Sequence, residues 1–517
     1  MDATPRDIAD LIGYWENAAG DREAVRCGER SWTWTQWAQR IRRNAAGLLA
    51  EGLKPGDRVA YLDKNDPGCL ETTLACALLG TANAVPNFRL AAPEIAYVIK
   101  DAEAKLLFVG AEFLPLVQRI RDELTTVEKV IVVGGTDDEY EGWLAAHEPL
   151  DTTREAQPDE CFLQLYTSGT TGFPKGAMLT HTGMTAHSQA TAADAHIDAN
   201  AHVMVAMPLF HVGGSSFALT GLYFGARIVV VRELDPVSFL DELVAEQITH
   251  VFVVPAVLGF LVQVPGVADR DYAHLKAMIY GASPMPLPLL RRCLELFPTD
   301  FYQVYGMTEA SGAVTSLGPA EHRDRANDHR LASAGKAAPG VELAVVDPLT
   351  GEHLGPDATG EVWVRTRQLM AGYWHKPEAS REALVAEGWL RSGDVGQLDA
   401  DGYLYISDRV KDLIISGGEN IYPAEIERVL VEHPDVAEVA VIGVPDERWG
   451  EVPKAIVVAS TEAPEAEKLL AHCHDQLASF KCPKSVEFVA ALPRNPTGKV
   501  LKRELRAPYW PAEDVTR

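Results

Sequence analysis

Apolar residues recur at two spacings through the first third of the chain. From Trp37 to Leu49 they fall on one face of a helix, whereas Arg58 to Leu62, Lys105 to Val109 and Lys129 to Val133 are short, nearly continuous apolar runs that read as buried strands. Gly56-Asp57 marks a turn, Leu70 to Leu79 reads as a helix closed by Gly80, and another helical stretch separates the last two strands. The acidic stretch Asp137 to Glu141 interrupts the pattern and is expected to be a surface loop. Helices alternating with apolar strands predict α/β layers around mostly parallel sheet.

Farther along, Cys161 to Tyr166 reads as a strand, Val251 to Pro255 as a buried strand ended by its proline, and Tyr280 to Ser283 and Tyr302 to Glu309 each as a strand followed by a small or polar turn. Ser392-Gly393-Asp394 follows an acidic, helix-like segment and is expected to form a turn. Beyond it, Pro423 to Val431 is a well-signalled helix, Val436 to Val444 and Lys454 to Val458 are strands, and Pro464 to Leu477 is a helix with proline at its first position. This is a smaller α+β unit at the end of a chain of 517 residues, which exceeds the ~300 at which one core stops growing.

Composition narrows the function classes. Hydrophobic content is 47% and charged content 23%, as in a globular protein with ample core, and the net charge of −26 disfavours nucleic acid and anionic lipid as partners. The longest apolar run, Val251 to Val262, contains Pro255 and falls short of the ~20 residues of a transmembrane helix. With no cationic-then-apolar leader at the start, the expected location is the cytoplasm, and seven scattered cysteines fit reduced thiols there. His472-Cys473-His474 lacks the partner motif a metal site needs. Against the acidic background, Lys481, Lys484, Arg494, Lys499, Lys502, Arg503 and Arg506 form a local basic stretch, which reads as ground for a polyphosphate.

Leu165-Tyr166-Thr167-Ser168-Gly169-Thr170-Thr171-Gly172-Phe173-Pro174-Lys175-Gly176 sets hydroxyls, glycines and a lysine between two apolar segments. Glycines let backbone N–H groups approach phosphate oxygens, hydroxyls add donors and Lys175 adds a charge. A Walker A loop does not fit, because Pro174 precedes the lysine and no hydroxyl follows it. The stretch resembles the phosphate-loop signature of the adenylate-forming superfamily: acyl-CoA synthetases, aryl-CoA ligases, luciferases and peptide-synthetase adenylation domains. The resemblance recurs along the chain from about residue 20 to residue 506.

The resemblance implies a large N-terminal domain of sheets flanked by helices, comprising several subdomains over 1–408, a hinge at 409–412, and a small α+β lid at 413–517. It implies ATP contacts at Thr167, Ser168, Gly169, Thr170, Thr171, Gly172 and Lys175, and at Gly281, Ala282 and Ser283. Along Gln303-Val304-Tyr305-Gly306-Met307-Thr308-Glu309, Tyr305 would stack on adenine, Gln303 meet its edge, Thr308 reach a phosphate and Glu309 hold Mg²⁺. Asp394 and Arg409 would take the ribose, Lys411 would be the pivot, and Gly417 and Gly418 would line the pantetheine path of coenzyme A. His211, Val212, Gly213, Gly214 and Val254 would border the acyl group, the two glycines leaving open space beside it; Lys499 would be the catalytic lysine. Without the resemblance, His211 reads as a structural residue and Lys499 as a surface lysine.

The implied activity is an AMP-forming carboxylic acid–CoA ligase, an acid-thiol ligase that passes through an acyl-adenylate. Its partners would be a small carboxylic acid, ATP with Mg²⁺, and coenzyme A as co-substrate; a homodimer is compatible with it. Asn87-x-Arg89-Leu90 followed by Pro93-Glu94-Ile95, and Ile414 to Glu427, resemble fatty-acid and steroid-degradation synthetases more than plant aryl ligases, which implies a fatty or related acid. The alternatives are an acyl-AMP ligase serving a carrier protein, an aryl-CoA ligase, a luciferase-like oxygenase, and a nucleotide-binding regulatory protein on a degenerate synthetase fold. The last would tolerate decay of Lys175, Glu309 or Lys499, and all three are present.

Overall fold

The computed structural model describes residues 4–510 except 137, 152–153, 168–173, 284, 349, 410–411, 413, 417–418, 422, 447–448, 462–463, 478, 480 and 495–499; the side chains at 325, 327, 408, 409, 415, 419 and 420 also lie outside this description. Backbone contacts group the chain into two compact units: Met1–Leu343 with Val364–Arg391 and Gly402–Leu404, and Ala344–Trp363 with Ser392–Asp401 and Tyr405–Arg517.

Fifteen strands of the first unit matter for the site. In chain order they are β1 (Glu23–Cys27), β2 (Arg30–Thr33), β3 (Arg58–Leu62), β4 (Ala82–Val85), β5 (Ala104–Gly110), β6 (Lys129–Val133), β7 (Cys161–Thr167), β8 (Lys175–Thr180), β9 (His202–Val205), β10 (Arg227–Val230), β11 (His250–Val253), β12 (Ala277–Gly281), β13 (Asp300–Met307), β14 (Gly312–Leu317) and β15 (Lys336–Ala337). They form a six-stranded sheet, β6-β5-β3-β4-β7-β8, and a nine-stranded sheet, β15-β14-β13-β12-β11-β9-β10-β1-β2. In each sheet the interior pairs are parallel and antiparallel strands sit at the margins: β8 in the first, β2, β14 and β15 in the second. Apolar runs such as Arg58–Leu62, buried along its whole length, are what a parallel strand covered on both faces requires.

Local signals explain several boundaries. The helix Pro67–Leu79 starts on Asp66, whose side chain accepts from the Gly68 N–H, and ends on left-handed Gly80. Thr33 and Gln36 form a capping box that starts the second helix at Trp34, three residues before the apolar periodicity becomes evident. The acidic stretch expected to be a loop is instead the start of a helix, Glu139–Ala145; Asp138 caps it, and its buried face is Tyr140, Trp143 and Leu144. Pro255 ends β11 by occupying the first turn of the helix Pro255–Leu261.

In the second unit, Val436–Asp446 pairs antiparallel with Gly450–Ala459, and Ser485–Phe488 lies parallel to the latter. Alternation along these strands sends Val441 and Val457 to a core with Ile426, Val429 and Leu469 from two helices, and Ala440, Ile442 and Ile456 to a second cluster with Leu492. The helix expected from Pro464 runs over Ala466–Gln476 with Glu465 at its N-cap, so the proline precedes the cap. Ser392-Gly393-Asp394, expected as a turn, lies within the strand Trp389–Leu398. Within the basic stretch, Lys481 pairs with Glu425, Arg494 with Glu438, Lys502 with Glu427 and Arg506 with Asp412, so four of its seven cations meet carboxylates of their own unit. No described helix is long and apolar enough to cross a membrane.

Candidate active site

Parallel strands end their carboxyl termini at one edge of a sheet, where loops collect polar side chains. In the nine-stranded sheet β11, β12 and β13 are adjacent and parallel, with Val253 beside Tyr280 and Gly281 beside Val304. Their ends therefore deliver Val254, then Gly281-Ala282-Ser283, then Tyr305 to Glu309 side by side. Ala282 is exposed in the left-handed region at φ 67°, a conformation that costs a non-glycine residue roughly 1–3 kcal/mol. After β13 a single 3-10 turn, Thr308–Ala310, places Glu309. The turn is held by the Met370 N–H, which donates to the Glu309 carbonyl at 2.9 Å, and by the buried Ser311 hydroxyl, which donates to the Gln368 carbonyl at 2.7 Å.

The hydroxyl and glycine loop joins two paired strands of the other sheet. Thr167 on β7 lies opposite Lys175 on β8, so both ends of the loop are fixed; Ser168, Gly169, Thr170, Thr171 and Gly172 are outside the described residues. Beneath Thr167, the Tyr166 hydroxyl donates to Asp101 at 3.0 Å and accepts from Gln164 at 3.0 Å, while Lys376 pairs with Asp101 at 2.9 Å. Residues 371–374 run along β8, with the Met178 N–H donating to the Gly372 carbonyl and the Trp374 N–H to that of Gly176. This pairing places Tyr373 between the two halves of the site. Its ring lies 5.1 Å from Lys175 Nζ, and its hydroxyl donates to Glu309 Oε1 at 2.7 Å. Burial and the neighbouring carboxylate keep this phenol far from ionising, so it stays a donor.

On the other side, Asn65 positions the segment before His211 by donating to the Met207 carbonyl and accepting from the Leu209 N–H at 3.0 Å. His211 is the N-cap of the helix Val212–Tyr223, and its Nε2 is buried without a hydrogen-bond partner. Burial, helped by the charge of Arg89, pushes its pKa down to about 4, so it presents a neutral imidazole. The glycines after it do not leave open space. A Cβ on Gly214 would lie 2.2 Å from the Pro208 carbonyl oxygen and one on Gly213 2.7 Å from the Phe252 ring, so they let the helix start close to chain that already fills the gap. Gly214→Ala is accordingly expected to destabilise the fold by about 1–3 kcal/mol, as overpacking does, read as a lowered Tm. An unchanged Tm would contradict this close approach.

In the second unit, Asp394 is buried and its N–H donates to Ser392 Oγ at 3.0 Å; the Gly393 N–H donates to buried Glu361. The Arg409 side chain, Lys411, Gly417, Gly418 and Lys499 are outside the described residues.

A family model described as AMP-binding enzyme matches residues 14–374. The chain belongs to the AMP-binding enzyme family. The model for the C-terminal domain of these AMP-binding enzymes matches residues 425–499. A fatty acid–acyl-carrier-protein ligase of Streptomyces coeruleorubidus is 40% identical over 495 residues, covering 94% of this chain and 93% of that protein. A long-chain-fatty-acid–CoA ligase of Mycobacterium tuberculosis is 37% identical over 488 residues, covering 92% and 93%. Among solved structures, ATP-bound MatB from Rhodopseudomonas palustris superposes with a TM-score of 0.87 at 30% identity, covering 98% of this chain and 100% of that one. This AMP-binding enzyme is an AMP-forming acid–thiol ligase of the acyl-CoA synthetase type.

Two features of this AMP-binding enzyme were not evident from its motifs. Tyr373 sits in Gly372-Tyr373-Trp374, an aromatic pair after glycine that carries no chemical signature of its own. His187, His211 and His250 are each pushed down to about 4, mainly by burial. Their folded values lie below the unfolded value of about 6.5, so from there down to pH 4 the unfolded chain binds more protons and stability falls. The loss is on the order of 3 kcal/mol for each histidine. Thermal melts between pH 7.5 and 4.5 should show a steep decline starting near pH 6.5; a Tm flat to pH 5 would contradict it.

Proposed function

We propose that the enzyme activates a fatty or related carboxylic acid with ATP and transfers the acyl group to the thiol of coenzyme A. The observation that carries the site assignment is the Lys175–Tyr373–Glu309 link, which ties the phosphate-type hairpin to the acidic turn. In this reading the domains are 1–408, a hinge at 409–412 around Lys411, and a lid at 413–517.

Carboxylate and triphosphate are both anions, so the protein's task is neutralisation and in-line placement. Thr167, Ser168, Thr170 and Lys175 hold the β- and γ-phosphates, with backbone N–H groups of Gly169 to Gly172. Tyr305 stacks on the adenine, Gln303 meets its edge, Gly281 to Ser283 and Gly306-Met307 frame it, and Asp394 and Arg409 take the ribose. Lys499 offsets charge on the carboxylate and α-phosphate as the acyl-adenylate forms. His211 offers its unpaired Nε2 at the acyl side, beside Val254. The Thr308 hydroxyl reaches a phosphate, and Glu309 is a hard oxygen donor whose single carboxylate suits a Mg²⁺ that keeps phosphate and water ligands. Bound there, the ion would neutralise the departing pyrophosphate. Gly417 and Gly418 line the approach of the thiol once the lid has turned.

The similarity to a ligase acting on acyl-carrier protein favours one second reading, in which a carrier protein replaces coenzyme A. A panel of carboxylic acids with ATP and either coenzyme A or a phosphopantetheinylated carrier, reading AMP and thioester, tests both. Fatty acids with coenzyme A are expected to give the highest rate. Thioester on the carrier alone would replace the first reading with the second.

A further inference from the structure

Tyr280 Oη lies 3.1 Å from Gln303 Oε1 and 3.0 Å from His322 Nε2. A phenol has one proton and cannot donate to both. The histidine decides which receives it. His322 Nδ1 is 2.6 Å from the Gly318 carbonyl oxygen, which can only accept, so Nδ1 carries the imidazole proton. Burial favours the neutral ring, leaving Nε2 a lone pair. The Tyr280 hydroxyl therefore donates to His322, and an amide oxygen facing that phenol would set lone pair against lone pair. An amide's O and N are interchangeable in shape, so turning Gln303 over puts its NH2 against Tyr280 as donor and sends Oε1 to the opposite side.

Gln303 and Tyr305 are two residues apart on β13 and share one face of the sheet, the face on which Tyr305 is assigned to the base. We propose that Tyr280 and His322 are positioning residues that fix nucleobase choice by holding the Gln303 carbonyl oxygen toward the base. An amide oxygen accepts from the exocyclic amine of adenine and repels the keto oxygen that replaces it in hypoxanthine. The inference rests on the nucleotide reading of β13.

The test compares ATP with ITP in carboxylate-dependent adenylation by the full-length enzyme, as the ratio of kcat/KM values, alongside thermal melts. Tyr280→Phe should lower the ATP-to-ITP ratio at least about tenfold, mainly through KM for ATP, because an unanchored amide offers either edge. His322→Phe should lower it as well, with ITP improving in absolute terms, since the Tyr280 proton then turns to Gln303 Oε1 and the NH2 faces the base. The two variants perturb packing differently, so either one that folds suffices. Gln303→Ala separates the layers. A ratio unmoved by Gln303→Ala overturns the nucleotide reading and the proposal with it. A ratio that falls in Gln303→Ala but stays at the wild-type value in the Tyr280 and His322 variants overturns the relay alone. Equal losses for both nucleotides in the Tyr280 and His322 variants assign these residues to structure and also overturn it.

Discussion

Lys499→Ala is expected to slow acyl-adenylate formation by about two to three powers of ten, the typical effect of losing one transition-state charge contact. Thioester formation from chemically prepared acyl-adenylate should stay near the wild-type rate. The asymmetry follows from the charges involved. In the first step a carboxylate approaches a triphosphate, and a cation between them stabilises both anions. In the second step a thiol attacks an uncharged acyl carbonyl, and that cation has no comparable task. Rapid-quench measurement of each half-reaction separately checks this. Equal loss in both steps would remove Lys499 from its assigned role.

Glu309→Gln should reduce adenylation by about a hundredfold or more, with a smaller loss in Tyr373→Phe. The carboxylate is both the assigned cation ligand and the acceptor for the Tyr373 hydroxyl at 2.7 Å. Glutamine keeps the shape and removes the charge, so metal affinity should fall with the rate. Phenylalanine keeps the ring beneath Lys175 and removes only a hydrogen bond to a charged group, worth ~1.5–3 kcal/mol at most, so a loss of about ten- to a hundredfold is expected, below that of Glu309→Gln. Mn²⁺ titration in the presence of ATP, followed by electron paramagnetic resonance, gives a readout independent of turnover. Weaker Mn²⁺ binding in both variants, greater in Glu309→Gln, is the expected order. Unchanged binding in Glu309→Gln would place the ion elsewhere.

Much of the sheet was legible because parallel strands covered on both faces need unbroken apolar runs. Arg58–Leu62 and Lys129–Val133 were readable to the residue, and Lys105–Val109 extends by one residue at each end. The helix Glu139–Ala145 was not: its acidic first turn looks like surface loop until its Asp138 cap and buried Tyr140 and Trp143 are seen. The basic stretch near the end was only partly legible, for a related reason. Sequence shows the cations of 481–506 together but not Glu425, Glu427, Glu438 and Asp412, which folding brings to them. In the site, contiguous residues such as Gln303 to Glu309 could be read as one group. Tyr373 could not: it lies 64 positions after Glu309 and meets it only because residues 371–374 pair with β8. Gly213 and Gly214 show the converse error: absence of a side chain suggested space, whereas neighbouring chain occupies it.

Carboxylate-dependent exchange of radiolabelled pyrophosphate into ATP, run without any thiol, tests the central claim most directly. An acyl-adenylate that forms reversibly on the enzyme returns label to ATP when a suitable fatty acid is present and not otherwise, and Lys499→Ala should suppress that signal. No exchange with any acid across a broad panel, or release of ADP and phosphate instead of AMP and pyrophosphate, would contradict an acyl-adenylate pathway.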